Sequence, residues 1–282
     1  MTTLRRIGFI TLAASLLSAC TPKQHQPITT GISFITQAPE YLLAASNDQV
    51  SREGKPQKYV SRKTEHWLNH QYRVAARKAV DNNAAYIAFY SDQQYDKPIL
   101  TPAFSYVTAI SDLTVDPSNN ERNNRLELGT AANHAVLASN IDFGTAQVGS
   151  NLYAYNPNKA RADAFEQQES NESITYLSLI RQTHSGQDAP LAHDLALLAH
   201  SVDRLATQGN NKIVLLNQYD AQYNTLITNH IKGLDVIISA GTSSYIEMNN
   251  YTCLATFEQT QENWQTLFMT FDSKGKIIQC QF

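Results

Sequence analysis

His66 and His70 stand four apart in His66-Trp67-Leu68-Asn69-His70, a spacing that sets two imidazoles on one helix face, as zinc ligands can be. A hydrolytic zinc motif of this kind carries a glutamate next to its first histidine; Trp67 stands there instead, so the pair reads as a helix face. His193 and His200 are a helical heptad apart and read as helix-surface residues, while His134 precedes a strand-like run. No Gly-x-Ser-x-Gly elbow offers a serine nucleophile, and Ser185-Gly186 after His184 is a turn signal. Gly144 and Gly149 flank a loop without the lysine of a phosphate-binding loop. Three cysteines, Cys20, Cys253 and Cys280, also carry chemistry.

Cys20 closes a tripartite N-terminus. Arg5 and Arg6 are positive, Ile7 to Leu17 is an apolar stretch of about 11 residues, and Leu17-Ser18-Ala19 supplies small residues before the cysteine. That stretch is too short for a bilayer core, which needs ~20 helical residues, and the pattern is that of an export signal. With its cysteine the segment resembles the lipobox of bacterial lipoproteins; the alternative is a plain signal with a chance cysteine. The resemblance implies a signal peptide over 1–19, lipid on Cys20, and a polar tether over 20–27. Phe9 sits one place late for twin-arginine export, favouring the general route. Thr21 stands where an inner-membrane retention signal would carry Asp, favouring the outer membrane. The expected location is therefore the cell envelope, with the domain facing the periplasm or the cell surface and membrane contact made through the lipid.

Cys253 and Cys280 then share an oxidising compartment. They lie in two strand-like runs, Tyr251–Phe257 and Lys276–Phe282, with a third, Leu267–Asp272, between them. If the first and last runs lie side by side, the Cα atoms come within the ~5.5–6 Å a disulfide needs. The alternative is two unpaired buried thiols. A net charge of −3 with no basic block argues against nucleic-acid binding.

These residues need a scaffold, and the chain spells one out in alternating elements. Ile28–Thr36 reads as a first strand, Lys63–Asp81 as a helix and Ala85–Tyr90 as a buried strand. Ala103–Leu113 reads as a helix, 116–125 as a polar loop, and Ala135–Ile141 and Gln147–Tyr155 as strands. A polar connection over 156–171 precedes a strand, Ser173–Ile180. Ala189–Thr207 is a helix with Leu191, Leu195, Leu198, Val202 and Leu205 on one face, ended by Gly209. Lys212–Leu216 is a continuous apolar strand of the kind covered on both faces. Ala221–Lys232 is a helix ended by Gly233, and Asp235–Ser239 is another buried strand. The alternation implies a largely parallel sheet with outer helices and a second sheet packed on it, in a single domain over 28–282.

Val202 to Ser244 (VDRLATQGNNKIVLLNQYDAQYNTLITNHIKGLDVIISAGTSS) is similar to the calcineurin-like metallophosphoesterase domain of bacterial secreted 5′-nucleotidases. There a strand ends in a histidine, a helix follows, and a further strand ends in Gly-His-Thr-His. Ala135–Phe143 (AVLASNIDF) looks like the family's segment ending Ala-Asn-Ile-Asp, and Tyr72–Leu100 like its helix and strand leading to a Gly-Asp loop. The resemblance extends over the phosphoesterase portion, and the expectation is a chain without the family's C-terminal nucleotide-specificity domain. The resemblance implies a two-sheet α/β sandwich flanked by helices, and hydrolysis of phosphate esters by two divalent metals such as Mn, Zn or Mg.

The ligand positions it implies are largely filled by the wrong residues. Ala38 and Glu40 stand at the first Asp and His, Asp92 keeps the bridging aspartate, and Pro117 and Ser118 replace the Asn and catalytic His. Gln218 stands for the strand-end histidine, and Gly241 and Ser243 for both histidines of the last motif. Because divalent cations need carboxylate, imidazole or amide donors at bonding distance, the expectation is a silent relative with no metal cofactor and no catalytic residue. Its cleft would then take a nucleotide or protein ligand. The alternative is a divergent phosphoesterase using divalent metal on Asp92, Glu40 and a displaced histidine.

Overall fold

The computed structural model describes residues 27–34, 85–87, 106–109, 134–143, 152–169, 172–181, 189–258 and 265–282. Their strands form two sheets packed face to face. The eight-stranded sheet holds β1 (Ile28–Phe34), β2 (Ala85–Ile87), β3 (Tyr106–Ala109), β4 (His134–Asp142), β5 (Leu152–Asn156), β6 (Arg161–Ala162), β13 (Gln265–Phe271) and β14 (Ile277–Gln281), in the order β14-β13-β1-β2-β3-β4-β5-β6. The six-stranded sheet holds β7 (Phe165–Glu169), β8 (Glu172–Leu179), β9 (Ile213–Asn217), β10 (Val236–Gly241), β11 (Tyr245–Asn249) and β12 (Thr252–Glu258), in the order β11-β12-β10-β9-β8-β7. Strands β1 to β5 run parallel, as do β8, β9, β10 and β12.

Alternation along each strand sorts the residues into two cores. Ile174, Tyr176, Val214, Leu216, Val236, Ile238, Ala255 and Phe257 of the smaller sheet meet Leu137, Leu267, Met269 and Phe271 of the larger one. On the opposite face of the smaller sheet, Leu177, Leu179, Ile213, Leu215, Ile237 and Leu254 pack under helices α1 (Ala192–Thr207) and α2 (Asn224–His230). Strand β9 is buried at all five positions because both of its faces are covered, as the unbroken apolar run required.

Helix α1 buries Leu195, Leu198, Val202 and Leu205, the face read from the sequence. It stops at Gly209, whose φ of +92° lets its amide bond Ala206 O and that of Asn210 bond Leu205 O.

Four readings change. The helix expected over Ala103–Leu113 contains a strand at Tyr106–Ala109, since Tyr106 and Val107 pair with β2 on one side and β4 on the other. Ladder bonds on both edges outweigh a weak helical period. The expected polar connection over 156–171 contains β6 and β7; β7 is an edge strand that needs only one buried face, supplied by Phe165 stacked on Tyr176 at 6.1 Å. Strand β11, with three of its five residues exposed, carries too little apolar alternation to be read from sequence. Finally, the C-terminal strands are not one set. β12 belongs to the six-stranded sheet, β13 and β14 to the eight-stranded one. The Cys253 and Cys280 strands therefore lie on facing sheets rather than side by side, and a disulfide joins them across the sandwich with Cα atoms 6.5 Å apart. The helix expected over Lys63–Asp81, with His66 and His70, lies outside the described residues, as do 1–26 with Cys20.

Candidate functional site at the strand ends

The parallel strands of both sheets finish at one edge, held together by a polar seam between β4 and β8. Ser139 N donates to Ser178 Oγ and Ser178 N to Ser139 Oγ, at 3.1 and 3.0 Å. One residue on, Asn140 Oδ1 accepts from Ile180 N at 2.8 Å, and its Nδ2 donates to Ile180 O at 3.0 Å and to Asp194 Oδ2 at 2.8 Å. Asp194 sits in the first turn of α1, where a negative charge also faces the positive end of the helix dipole. Asn140, in the segment AVLASNIDF, thus ties two sheets and a helix together from a buried position.

The ends of β9 and β10 are closed by a second network. Asn217 Nδ2 donates to Tyr219 O and to Asn224 Oδ1, and its Oδ1 accepts from Tyr219 N at 2.9 Å. Asn224 Nδ2 donates to Ser239 Oγ at 2.7 Å. All three side chains are buried and neutral, and the two amides and the hydroxyl are engaged with one another and with the backbone. A single Asn after an apolar run, as in Ile213-Val214-Leu215-Leu216-Asn217, is the only sequence trace of this network.

Three of the positions singled out in sequence fall here. Gln218 is half-buried; its backbone N donates to Leu179 O at 3.0 Å, and its Oε1 accepts from Arg181 N at 3.2 Å. Ser243 is exposed. Gly241 ends β10 beside β12, and a Cβ placed there would meet Thr256 Cγ2 at 2.7 Å, closer than real Cβ contacts. Thr256 is fully buried, and its Oγ1 has no hydrogen-bond partner among the described residues. A β-branched side chain fixed in a ladder has little freedom to move aside, so position 241 is closed to any side chain in this packing. Ala38, Glu40, Asp92, Pro117 and Ser118 lie outside the described residues.

Among the described residues, no three His, Cys, Asp or Glu side chains converge as a metal-binding group. His193 and His200 are exposed on α1, and His230 Nδ1 is engaged 2.9 Å from Leu226 O. The described donors do not suit a pair of divalent cations: the amides are occupied, and position 241 is sterically shut.

No protein-family model matches the chain, and no curated protein does. Solved structures do match. Haemophilus influenzae NAD nucleotidase aligns with a TM-score of 0.54 at 15% identity, covering 92% of this chain and 50% of that one. A putative 5′-nucleotidase from Staphylococcus aureus gives 0.53 at 10% identity, over 90% of this chain and 54% of that one. The 5′-nucleotidase precursor from Thermus thermophilus gives 0.50 at 13% identity, over 90% and 54%. The fold is 5′-nucleotidase-like.

This metallophosphoesterase-type sandwich spans about half the length of the nucleotidases it matches. Identities this low establish fold and nothing about substrate. In the 5′-nucleotidase-like frame the Asn217, Asn224, Ser239 and Gly241 cluster occupies the ends of adjacent parallel strands, where α/β folds commonly bind ligands.

The opposite end carries a buried ion pair. Lys212 Nζ pairs with Glu172 Oε2 at 2.8 Å, both side chains essentially without solvent contact, and also donates to Asn211 Oδ1 at 3.0 Å. Nearby, Asp235 Oδ2 accepts from Ile213 N at 2.8 Å. Burial, with Asp272 adding repulsion, pushes the Asp235 carboxyl up to about 7, against the lowering by that amide bond and by Lys212.

Proposed function

We propose that this chain is a lipid-anchored, extracytoplasmic protein whose 5′-nucleotidase-like fold serves binding or interaction rather than hydrolysis. The observation that carries this reading is Gly241, a strand-end position with no donor atom and with Thr256 Cγ2 2.7 Å from where a Cβ would stand. The neighbouring Asn217, Asn224 and Ser239 side chains are engaged with one another and with the backbone rather than aimed at a bound phosphate. The N-terminal pattern ending at Cys20 supports the anchor. With chemistry lost, the surface around Gln218 and Ser243 is the natural contact face for a nucleotide or a protein.

The test is elemental analysis of the purified mature chain, together with hydrolysis of nucleotides under added Mn²⁺, Zn²⁺ or Mg²⁺. The expected result is less than one bound metal per chain and no turnover above the buffer rate. Metal-dependent turnover abolished by Asp92→Ala would establish the divergent phosphoesterase reading instead.

A further inference from the structure

At the end of the sandwich opposite the Gly241 site, the described residues expose an aromatic ring, an isoleucine and several lysines. Strand β1 starts there, with Ile28 paired to Phe271 and Pro27 exposed beside it. Two hairpin turns crowd the same end. In the β13–β14 turn, Asp272 Oδ1 accepts from the backbone N of Lys274 and Lys276, and Gly275 at φ +84° packs so tightly on Asn211 that a Cβ would meet its O at 2.0 Å. In the β11–β12 turn, Asn250 and Tyr251 both have positive φ, +47° and +72°. The two turns touch, with Lys276 Nζ 5.4 Å from the Tyr251 ring centroid.

Tyr251 is 80% exposed in a backbone conformation for which glycine is the ordinary choice. Ile278, two residues after Lys276, is 62% exposed. Lys232, Lys274 and Lys276 are all exposed at this end, whereas Asp272 beside them is half-buried and spends its carboxylate on the turn backbone. At the opposite end the strand termini carry Asp142, Asp220 and Glu258 with Arg181. Glu172 and Asp235 lie at the lysine end too, but Glu172 is buried against Lys212 and Asp235 is half-buried with its carboxylate on Ile213 N, so among the described residues the charges this end exposes are mainly the lysines.

We propose that this end lies on an anionic lipid surface, with Tyr251 and Ile278 at headgroup level and Lys274 and Lys276 against phosphates, so that the Gly241 face points away from the membrane. The inference rests on acylation of Cys20. Only eight residue steps separate Cys20 from Ile28, a reach of at most ~29 Å. A domain of about 255 residues has a diameter on the order of 45 Å, so the tether cannot bring the far end to the bilayer. Exposed aromatic rings favour the interface, and lysines near an anionic surface are attracted within a Debye length.

The experiment is hydroxyl-radical footprinting of the full mature chain. The chain is reconstituted in phosphatidylethanolamine vesicles containing about a quarter phosphatidylglycerol, a composition chosen to make the surface anionic. Intact mass of the N-terminal peptide reads the acylation of Cys20 independently. The expected result is oxidation of Tyr251 and Ile278 slowed about threefold or more relative to the unacylated chain, with Tyr245 and Tyr223 unchanged. That protection should fall in ~0.5 M salt, where screening shortens to a few ångströms, and in the exposed-turn variant Lys274→Glu/Lys276→Glu. An acylated chain with Tyr251 and Ile278 oxidised at the free rate, or with Tyr245 and Tyr223 protected instead, overturns the orientation and leaves the anchor standing. An unmodified Cys20 overturns both.

Discussion

Cys253 and Cys280 bond across the sandwich, from the buried strand β12 of the six-stranded sheet to the edge strand β14 of the eight-stranded one. The bond closes a segment with a sequence separation of 27, for which chain-entropy arguments give about 3–4 kcal/mol of stabilisation. Cys253→Ala/Cys280→Ala is expected to lower urea-unfolding stability by about that much. Reductant should move the wild-type midpoint the same way and leave the double variant unaffected.

Asp235 predicts a stability that declines toward neutral pH. Its carboxyl titrates near 7 when folded and near 3.8 when unfolded, so the folded state binds the extra proton between those values. The contribution is fully present below about pH 4 and is lost as pH rises through about 7, up to about 4 kcal/mol in all. Asp235→Asn keeps an oxygen acceptor for the Ile213 amide and should flatten the decline, which unfolding measured from pH 4.5 to 8.5 would show. Asp272 acts in the other direction: hydrogen bonds from Lys276 N and Lys274 N hold its carboxyl below the ordinary range. Its contribution is present above that range and lost in stronger acid.

Position 241 tests whether a donor side chain can be accommodated beside Thr256. Gly241→His is expected to cost about 1–3 kcal/mol through overpacking on Thr256, with no gain of bound metal by elemental analysis. Adding Thr256→Ala removes the clashing methyl and should recover part of that loss. Thr256→Val alone replaces a buried hydroxyl that has no partner among the described residues and should raise stability by about 1 kcal/mol.

Asn140 holds β4, β8 and α1 at one point through three hydrogen bonds. Asn140→Ala should cost about 3–5 kcal/mol, because it leaves Ile180 N, Ile180 O and one Asp194 oxygen each short of a buried partner. A double-mutant cycle with Asp194→Asn, read by urea unfolding, should show coupling above about 1 kcal/mol.

Lys212 and Glu172 form a pair with almost no solvent contact. Removing one charge, as in Glu172→Gln, should destabilise by about 3–5 kcal/mol, whereas Lys212→Met/Glu172→Leu should lie within about 2 kcal/mol of wild type. Thermal melts of the three proteins distinguish the two cases.

Much of the scaffold was legible because its signals are local. The face Leu195, Leu198, Val202, Leu205 and the run Ile213–Leu216 each announce their own environment, one half-covered and one wholly covered. Edge strands announce little. β7 and β11 have one open side and tolerate polar residues, so composition reads them as connection. The candidate site divides in the same way. Gln218, Gly241 and Ser243 were singled out by resemblance, whereas Asn217 in β9, Ser239 in β10 and Asn224 in α2 are ordinary polar residues until the chain brings them together.

From its order of residues alone, this protein settles which segments are apolar enough to be buried and which positions carry no side-chain donor, as at Gly241, since both are properties of single side chains or short periods. Only the tertiary structure decides that Cys253 and Cys280 face each other from different sheets, and that Thr256 seals the space beside Gly241. Those outcomes depend on register and sheet membership, which arise from pairing between residues far apart in the chain and leave no mark in any short stretch of it.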